Sequence, residues 1–320
     1  MKTIVIGGSG HIGTYLVPML INSGHKVINI TRGKSKPYVD NPAWTKVENI
    51  IMDRDTEKDF AQKVSNLNPD IVIDLINFRI QDTQDMVREL QKTKVQHYLF
   101  CSSIWAHGRA CYLPLDPNDP NKEPLDEYGK NKFQSELYLK EQYQKNGFPA
   151  TIIMPGQICG PGWTIINPWG NTTEKVFQMI SNGEKIFLPN LGMETLHHIH
   201  AEDVAQMFFL ATTHREKSLG QSFHAVSASS ITLFGYAKLM FEFFGKEAKI
   251  DFLPWKEWCE YVGDQKECDL TYYHIARSGY FSIQNAEELL EYKPKHTNVE
   301  TIKIAVQSYI DRGLITTDKK

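Results

Sequence analysis

At 320 residues the chain is long enough for one large α/β core, or for a cofactor unit with a smaller substrate lobe. A hydrophobic fraction of 41% with 23% charged residues excludes a disordered or fibrous protein. Thirty-five basic against 38 acidic side chains give a formal charge of −3, so no global field draws the chain to nucleic acid or an anionic membrane.

The opening MKTIVIGGSG is read as a buried strand, Thr3 to Ile6, because its apolar run stops in a glycine cluster. No stretch reaches the ~18 apolar residues of a membrane span. A helix over Ile12 to Asn22 follows, then strands over Lys26 to Ile30 and Val47 to Met52 and a helix over Lys58 to Ser65. The pattern goes on with a strand over Ile71 to Leu75, a helix over Asp82 to Lys92 and a strand over His97 to Cys101. A helix over Leu125 to Lys145 and a strand over Thr151 to Met154 close the series. Short β-branched runs alternating with amphipathic stretches build a parallel sheet with crossover helices, and continuous apolar strands are buried on both faces. The fold class is therefore α/β, a Rossmann-like doubly wound parallel sheet with a smaller C-terminal substrate lobe.

The dinucleotide-binding domain is expected over residues 1–155, completed by later segments, with a mainly substrate-binding lobe over 156–320. After Pro155, glycine and proline crowd the chain and the alternation loosens. Helices are expected there over Asp203 to Thr212, Leu233 to Phe244 and Glu300 to Arg312. Phe208, Phe209, Phe241, Phe243 and Phe244 read as core. The five cysteines are scattered, without CxxC spacing, which implies neither a disulfide framework nor a thiolate zinc site and suits a reducing cytoplasm.

Gly7, Gly10 and Gly13 stand at GxxGxxG spacing between the first strand and the first helix. Such glycines allow a tight turn, approach of backbone to a pyrophosphate and close helix–strand packing, while the helix N-terminus offers N–H groups to the phosphates. The turn thus assigns Gly7, Ser9, Gly10, His11, Ile12 and Gly13 to a nicotinamide dinucleotide. At the end of the second strand an acid would accept from the adenosine ribose and mark NAD; here Thr31 and Arg32 stand instead, followed by Lys34 and Lys36. Arg32 suits a 2′-phosphate, which favours NADP over NAD; the alternative is a solvated basic loop.

Tyr128 and Lys132 form a YxxxK pair, and positions i and i+4 share a helix face. A nearby ammonium is expected to lower the tyrosine pKa, so that the phenol exchanges a proton with a substrate hydroxyl while hydride moves to or from nicotinamide. Ser102 and Ser103 follow an apolar strand where an open sheet delivers side chains to its ligand crevice.

These motifs, with Met154 to Gly162 and His198 to Ala205, resemble the extended short-chain dehydrogenase/reductases, the NAD(P)-dependent epimerase/dehydratase group, over nearly the whole chain. The resemblance implies that Ser103 is the catalytic hydroxyl, at the 25-residue spacing from Tyr128 found in sugar-nucleotide epimerases (128 − 103 = 25). It implies cofactor contacts from Asp53, Lys132 and Pro155, a pocket-facing Gln157 and a homodimer. In the family an arginine that binds diphosphate commonly precedes the segment at 198–205; here the position is Leu196, which weakens a sugar-nucleotide reading. Bulky Leu75 to Arg79 replaces a small-residue segment, and Arg79 either faces an anionic substrate group or is a solvent-facing loop residue. The departures at 32, 79 and 196 are similar to an atypical branch that includes chloroplast stem-loop-binding proteins.

Histidines 197, 198 and 200 invite a metal, but no cysteine or carboxylate completes a ligand spacing, and none is expected. The expectation is a cytoplasmic NAD(P)-dependent oxidoreductase or epimerase acting on a secondary alcohol or ketone of a small polar substrate, sugar nucleotides included. Nucleic acid and membrane partners are not expected. The alternative is a non-catalytic dinucleotide-binding protein with a sensing or RNA-binding role.

Overall fold

Alternate residues of the first strand decide the layering. In β1 (Lys2–Ile6) the side chains of Ile4 and Ile6 enter one apolar cluster and Val5 another, and all three are fully buried. A strand covered on both faces needs helices above and below, and the chain supplies them. The computed structural model describes residues 1–317.

Chain order after β1 is α1 (His11–Asn22), β2 (Lys26–Thr31), β3 (Glu48–Ile51), α2 (Phe60–Asn66), β4 (Ile71–Asp74), α3 (Ile80–Leu90), β5 (His97–Cys101), α4 (Glu127–Asn146) and β6 (Ala150–Pro155). Then come β7 (Gln157–Cys159), α5 (Lys175–Ser181), β8 (Ile186–Pro189), β9 (Thr195–Leu196), β10 (His198–His200), α6 (Ala201–Thr213), α7 (Arg215–Ser218) and β11 (Ser222–Ala225). The remainder is β12 (Ile231–Thr232), α8 (Leu233–Phe243), β13 (Ile250–Leu253), α9 (Trp255–Val262), α10 (Gln265–Ile275), α11 (Gln284–Leu290) and α12 (Asn298–Asp311).

Seven parallel strands form one sheet in the order β11-β6-β5-β4-β1-β2-β3. This is a Rossmann-like α/β fold. Strand order reverses between β1 and β4, and a crevice opens outside the carboxyl ends of strands at such a switch point. Leu16 and Leu20 of α1 pack with Phe208 and Ala211 of α6 on one face; Val64, Met86 and Leu139 of α2, α3 and α4 cover the other. The chain therefore returns to the sheet late, through α6 and β11.

A third cluster, with Trp169, Phe177, Phe241 and Trp258 at its centre, lies in the segments that follow β6. Local chemistry sets the helix ends. Asp126 caps α4 by accepting from the Gly129 N–H at 2.7 Å, and Gly147, at φ +66°, ends it. Helix α2 starts at Phe60, two residues later than its sequence pattern suggests, because Asp59 is left-handed at φ 59°. Helix α12 starts two residues earlier, where Thr297 and Glu300 form a capping box. No helix among the described residues is long and apolar enough to cross a membrane.

Candidate active site

The glycine turn is a cradle with no room for side chains. Gly7 sits at φ +86°, and a Cβ there would stand 2.7 Å from Ile76 Cγ2. A Cβ on Gly13 would lie 2.0 Å from the Gly8 carbonyl oxygen, so helix and turn touch backbone to backbone. Gly10 is the N-cap of α1, which has no side-chain cap and no acid in its first turn. An uncapped helix end with free N–H groups fits an anion, and the turn accordingly fits a dinucleotide pyrophosphate. The Ser9 hydroxyl faces inward, accepting from Asn29 Nδ2 at 2.9 Å. His11 is buried and stacks on Trp163 at 4.9 Å; burial first, then His200, pushes its pKa down to about 3, so it stays neutral.

Two adjoining clefts share Ile76 and Phe78 as walls, and the larger opens on this turn. The larger, about 320 Å³, is lined by Gly7, Gly10, His11, Ile12, Ser103, Tyr128, Lys132, Pro155 and Trp163. The smaller, about 280 Å³, is lined by Arg32, Asp53, Arg54, Asp55, Arg79 and Asp82. The first is mostly apolar, the second charged.

In the larger cleft Ser103 leaves the end of β5, and its hydroxyl accepts from the Trp105 N–H at 3.2 Å. Tyr128 stands on the first turn of α4; the residue as a whole is 37% exposed, while its phenol oxygen is crowded by protein. Burial raises the phenol pKa well above the ordinary value, Cys101 and Asp126 add to this, and a hydrogen bond with Ser103 opposes it. One turn on, the buried Lys132 ammonium donates to the carbonyls of Asn77 and Cys101, both at 2.6 Å. Burial pushes its own pKa down to about 8. The expectation that Lys132 pulls Tyr128 down is not met: burial disfavours the charged form of both groups, and the side chains that act on the phenol beside it are Cys101, Ser103 and Asp126. Ser102 points away, donating to Glu136, which pairs with buried Lys122.

A model of the NAD dependent epimerase/dehydratase family matches residues 3–225. The chain belongs to this family. A chloroplast stem-loop binding protein of 41 kDa from Arabidopsis thaliana is 25% identical over 98% of this chain and 80% of its own length. A putative UDP-glucose 4-epimerase from Methanocaldococcus jannaschii is 27% identical over 65% of this chain and 72% of its own. Among solved structures, UDP-glucose 4-epimerase of Thermotoga maritima with UDP-glucose superposes at a TM-score of 0.73 with 20% identity, covering 98% of this chain and all (100%) of that one. UDP-glucuronic acid 4-epimerase of Bacillus cereus, in complex with UDP-glucuronic acid and NAD, gives 0.72 with 16% identity over 98% and 100%. At these identities the structures establish the shared fold.

Within the family's frame, Gly7, Gly10, His11 and Ile12 of the turn meet the Ser103, Tyr128 and Lys132 set in one cleft, while Ser9 turns to Asn29 and Gly13 packs on Gly8. Two expected substrate residues stand elsewhere. Arg79 lines the charged cleft with Arg32, held by Asp55 at 3.0 Å and Asp82 at 2.8 Å, because it stands just before α3 and donates forward to the acid in that helix's first turn. Gln157 lies on the Cys159 side of β7, since side chains alternate along a strand, and its Oε1 accepts from the His197 N–H at 2.8 Å. Its neighbour Ile158 faces the cleft instead. Leu196 is buried in the cluster of Trp169 and Trp258.

The histidines separate as well. His198 Nε2 lies 2.8 Å from the Ile166 carbonyl, and the ring of His197 packs against Phe281. His200, Glu202 and His296 do converge, but His200 Nδ1 accepts from the Glu202 N–H at 3.1 Å, which leaves the proton on the other ring nitrogen. Glu202 is paired with Lys295 at 2.8 Å. These donors serve a helix cap and an ion pair.

The wall residues Ile76, Phe78, Cys101 and Trp163 were not among the expected site residues. Phe78 had a signal, standing beside Arg79 in the bulky replacement segment. Trp163 had none, because only the fold brings it onto His11.

Proposed function

We propose that this protein transfers hydride between a nicotinamide dinucleotide and the carbon of a secondary alcohol or ketone in a small polar substrate. The observation that carries this reading is that Ser103, Tyr128 and Lys132 line the same cleft as the glycine turn. When bound, the nicotinamide supplies a two-electron acceptor or donor. Tyr128 exchanges the proton of the substrate oxygen, as general base toward an alcohol and general acid toward a ketone. Ser103, beside Tyr128 on the same cleft, orients that oxygen. Lys132 holds positive charge beside the phenol and reaches toward the nicotinamide ribose. Leu75, Ile76, Ile158 and Trp163 keep water from the reacting carbon.

Relatives named as UDP-glucose 4-epimerases make sugar nucleotides the first class to try, and the apolar Leu196 favours small polar alcohols and ketones beside them. The cofactor reading is NADP over NAD. It is supported by Arg32, joined on one cleft by Arg54 and Arg79, and by the lack of an acid at the end of β2. A non-catalytic RNA-binding role is not favoured: the formal charge is −3 and the Ser103, Tyr128 and Lys132 set is complete.

The test is a panel of alcohols, ketones and sugar nucleotides with each dinucleotide, read at the nicotinamide absorbance, on parent and Tyr128→Phe. The parent should turn over at least one substrate class, and the variant should lose about 10²–10⁴ in kcat. Near-parent turnover by Tyr128→Phe rules out its assignment.

A further inference from the structure

Behind the cofactor groove lies a buried polar network that the proposed reaction does not use. Asp74, at the end of β4, is fully buried. Its Oδ2 accepts from Arg54 Nη2 at 2.7 Å, from the Tyr98 hydroxyl at 3.0 Å and from Asn77 Nδ2 at 3.1 Å. Arg54 is almost wholly buried and backs the cleft of Arg32 and Asp53. Asn77 is buried too; the Thr83 hydroxyl lies 3.3 Å from its Oδ1 and 2.9 Å from Ser135 Oγ on α4. With both ends of its side chain held, Asn77 presents its carbonyl oxygen to Lys132 Nζ at 2.6 Å.

We propose that Asp74 is a positioning residue for Lys132: anchored by Arg54, it fixes Asn77, and the Asn77 carbonyl fixes the lysine ammonium in the cleft. This rests on the reading of Lys132 as the partner of Tyr128. A buried ion pair is a poor source of stability, and this one leaves Arg54 Nε and Nη1 and Asp74 Oδ1 without protein partners. An apolar pair would fill the space with less penalty, but it would not orient an amide. The network also joins the two ends of the groove, since Arg54 lines the charged cleft and Lys132 the apolar one.

The groups that face Lys132 set the sign of a pH test. Cys101 on β5, Asp74 on β4 and Glu136 on α4 favour its charged form; Arg54 opposes it. The rings of Phe78, Phe100 and Tyr128 surround the ammonium at 4.9, 5.1 and 5.5 Å. Lys132 acts as an ammonium, so ketone reduction is lost as pH rises through its pKa, and removing the Asp74 charge moves that loss to lower pH.

Asp74→Asn should lower kcat about tenfold or more, leave KM little changed and shift the alkaline limb of the pH profile downward. The double variant Arg54→Leu with Asp74→Leu leaves no lone buried charge, so it guards against simple misfolding. In it the opposing charge effects on Lys132 are both removed, and the kcat loss should persist because Asn77 has lost its anchor. A readout independent of turnover is the pH titration of the Lys132 carbon-13 ε signal, assigned with Lys132→Met; its midpoint should fall in Asp74→Asn. Parent-like kcat in the double variant, or an unmoved Lys132 midpoint in Asp74→Asn, overturns the proposal. If the parent turns over no substrate, the functional reading fails while the titration still decides the role of Asp74.

Discussion

The two ends of the groove are built on opposite principles. At the end proposed for the adenosine Arg32 is exposed, and Arg79, about half exposed, shares its charge with Asp55 and Asp82. At the end proposed for the reaction Lys132 and Ser103 are buried, sharing the cleft with Leu75, Ile76 and Cys101, and burial moves the pKa values of Lys132 and Tyr128. Exposed charge gives contacts that recognise a phosphate but are screened by salt; buried polar groups give little affinity but hold a proton carrier in place. Affinity and rate are thus expected to reside in different residues of one groove.

Lys132→Met should break that division most strongly. Lys132 belongs to the reaction end yet is expected to reach the cofactor ribose, so the variant should lose about 10²–10⁴ in kcat and also bind dinucleotide more weakly. Steady-state kinetics with calorimetry checks both; loss of rate alone would confine Lys132 to the chemistry. Arg32→Ala should sharpen the division. A hydrogen bond to a charged group is worth about 1.5–3 kcal/mol, so NADP affinity should fall about tenfold to a hundredfold while NAD affinity barely moves. Equal affinities of the parent for the two nucleotides would remove Arg32 as discriminator.

The pH profile separates the two directions of reaction. Alcohol oxidation needs the phenolate of Tyr128, whose pKa is raised, so its rate should climb by up to about tenfold per pH unit and level near pH 8, where Lys132 loses its proton. Ketone reduction uses the protonated phenol, so it should be flat and then fall above about pH 8. A plateau already at neutral pH in the oxidative direction would show that Tyr128 ionises far more readily than its burial implies. Gln157→Ala should have the smallest effect, about 1 kcal/mol of stability from the lost acceptor for His197 and unchanged substrate constants. A changed KM would return Gln157 to the cleft.

The sheet and the turn were legible because their signals are local. Val5 and Ile6 run straight into Gly7, and the spacing of Tyr128 and Lys132 is set by one helix. The strand at Ser222–Ala225 is four residues long and carries a histidine, so nothing local marks it as part of the sheet. The same holds for Trp163 on His11 and for Asp74 beneath Asn77, which the fold brings together from distant segments. The pKa directions were not legible either, since the sequence shows the Lys132 charge but not the burial that sets the direction at both groups. The choice between the two readings of Arg79 and the facing of Gln157 were open for a simpler reason: the direction in which a side chain leaves a helix N-terminus or a strand needs the backbone.

The separation of affinity from rate is tested most directly by a double-mutant cycle of Arg32→Ala and Tyr128→Phe, with NADP affinity and saturated turnover measured on all four proteins. Arg32→Ala should weaken NADP binding without slowing saturated turnover, Tyr128→Phe should do the reverse, and the double variant should show both losses, additive to within about 0.5 kcal/mol. Slowed saturated turnover in Arg32→Ala, or NADP binding lost together with turnover in Tyr128→Phe, would contradict the division of labour along the groove.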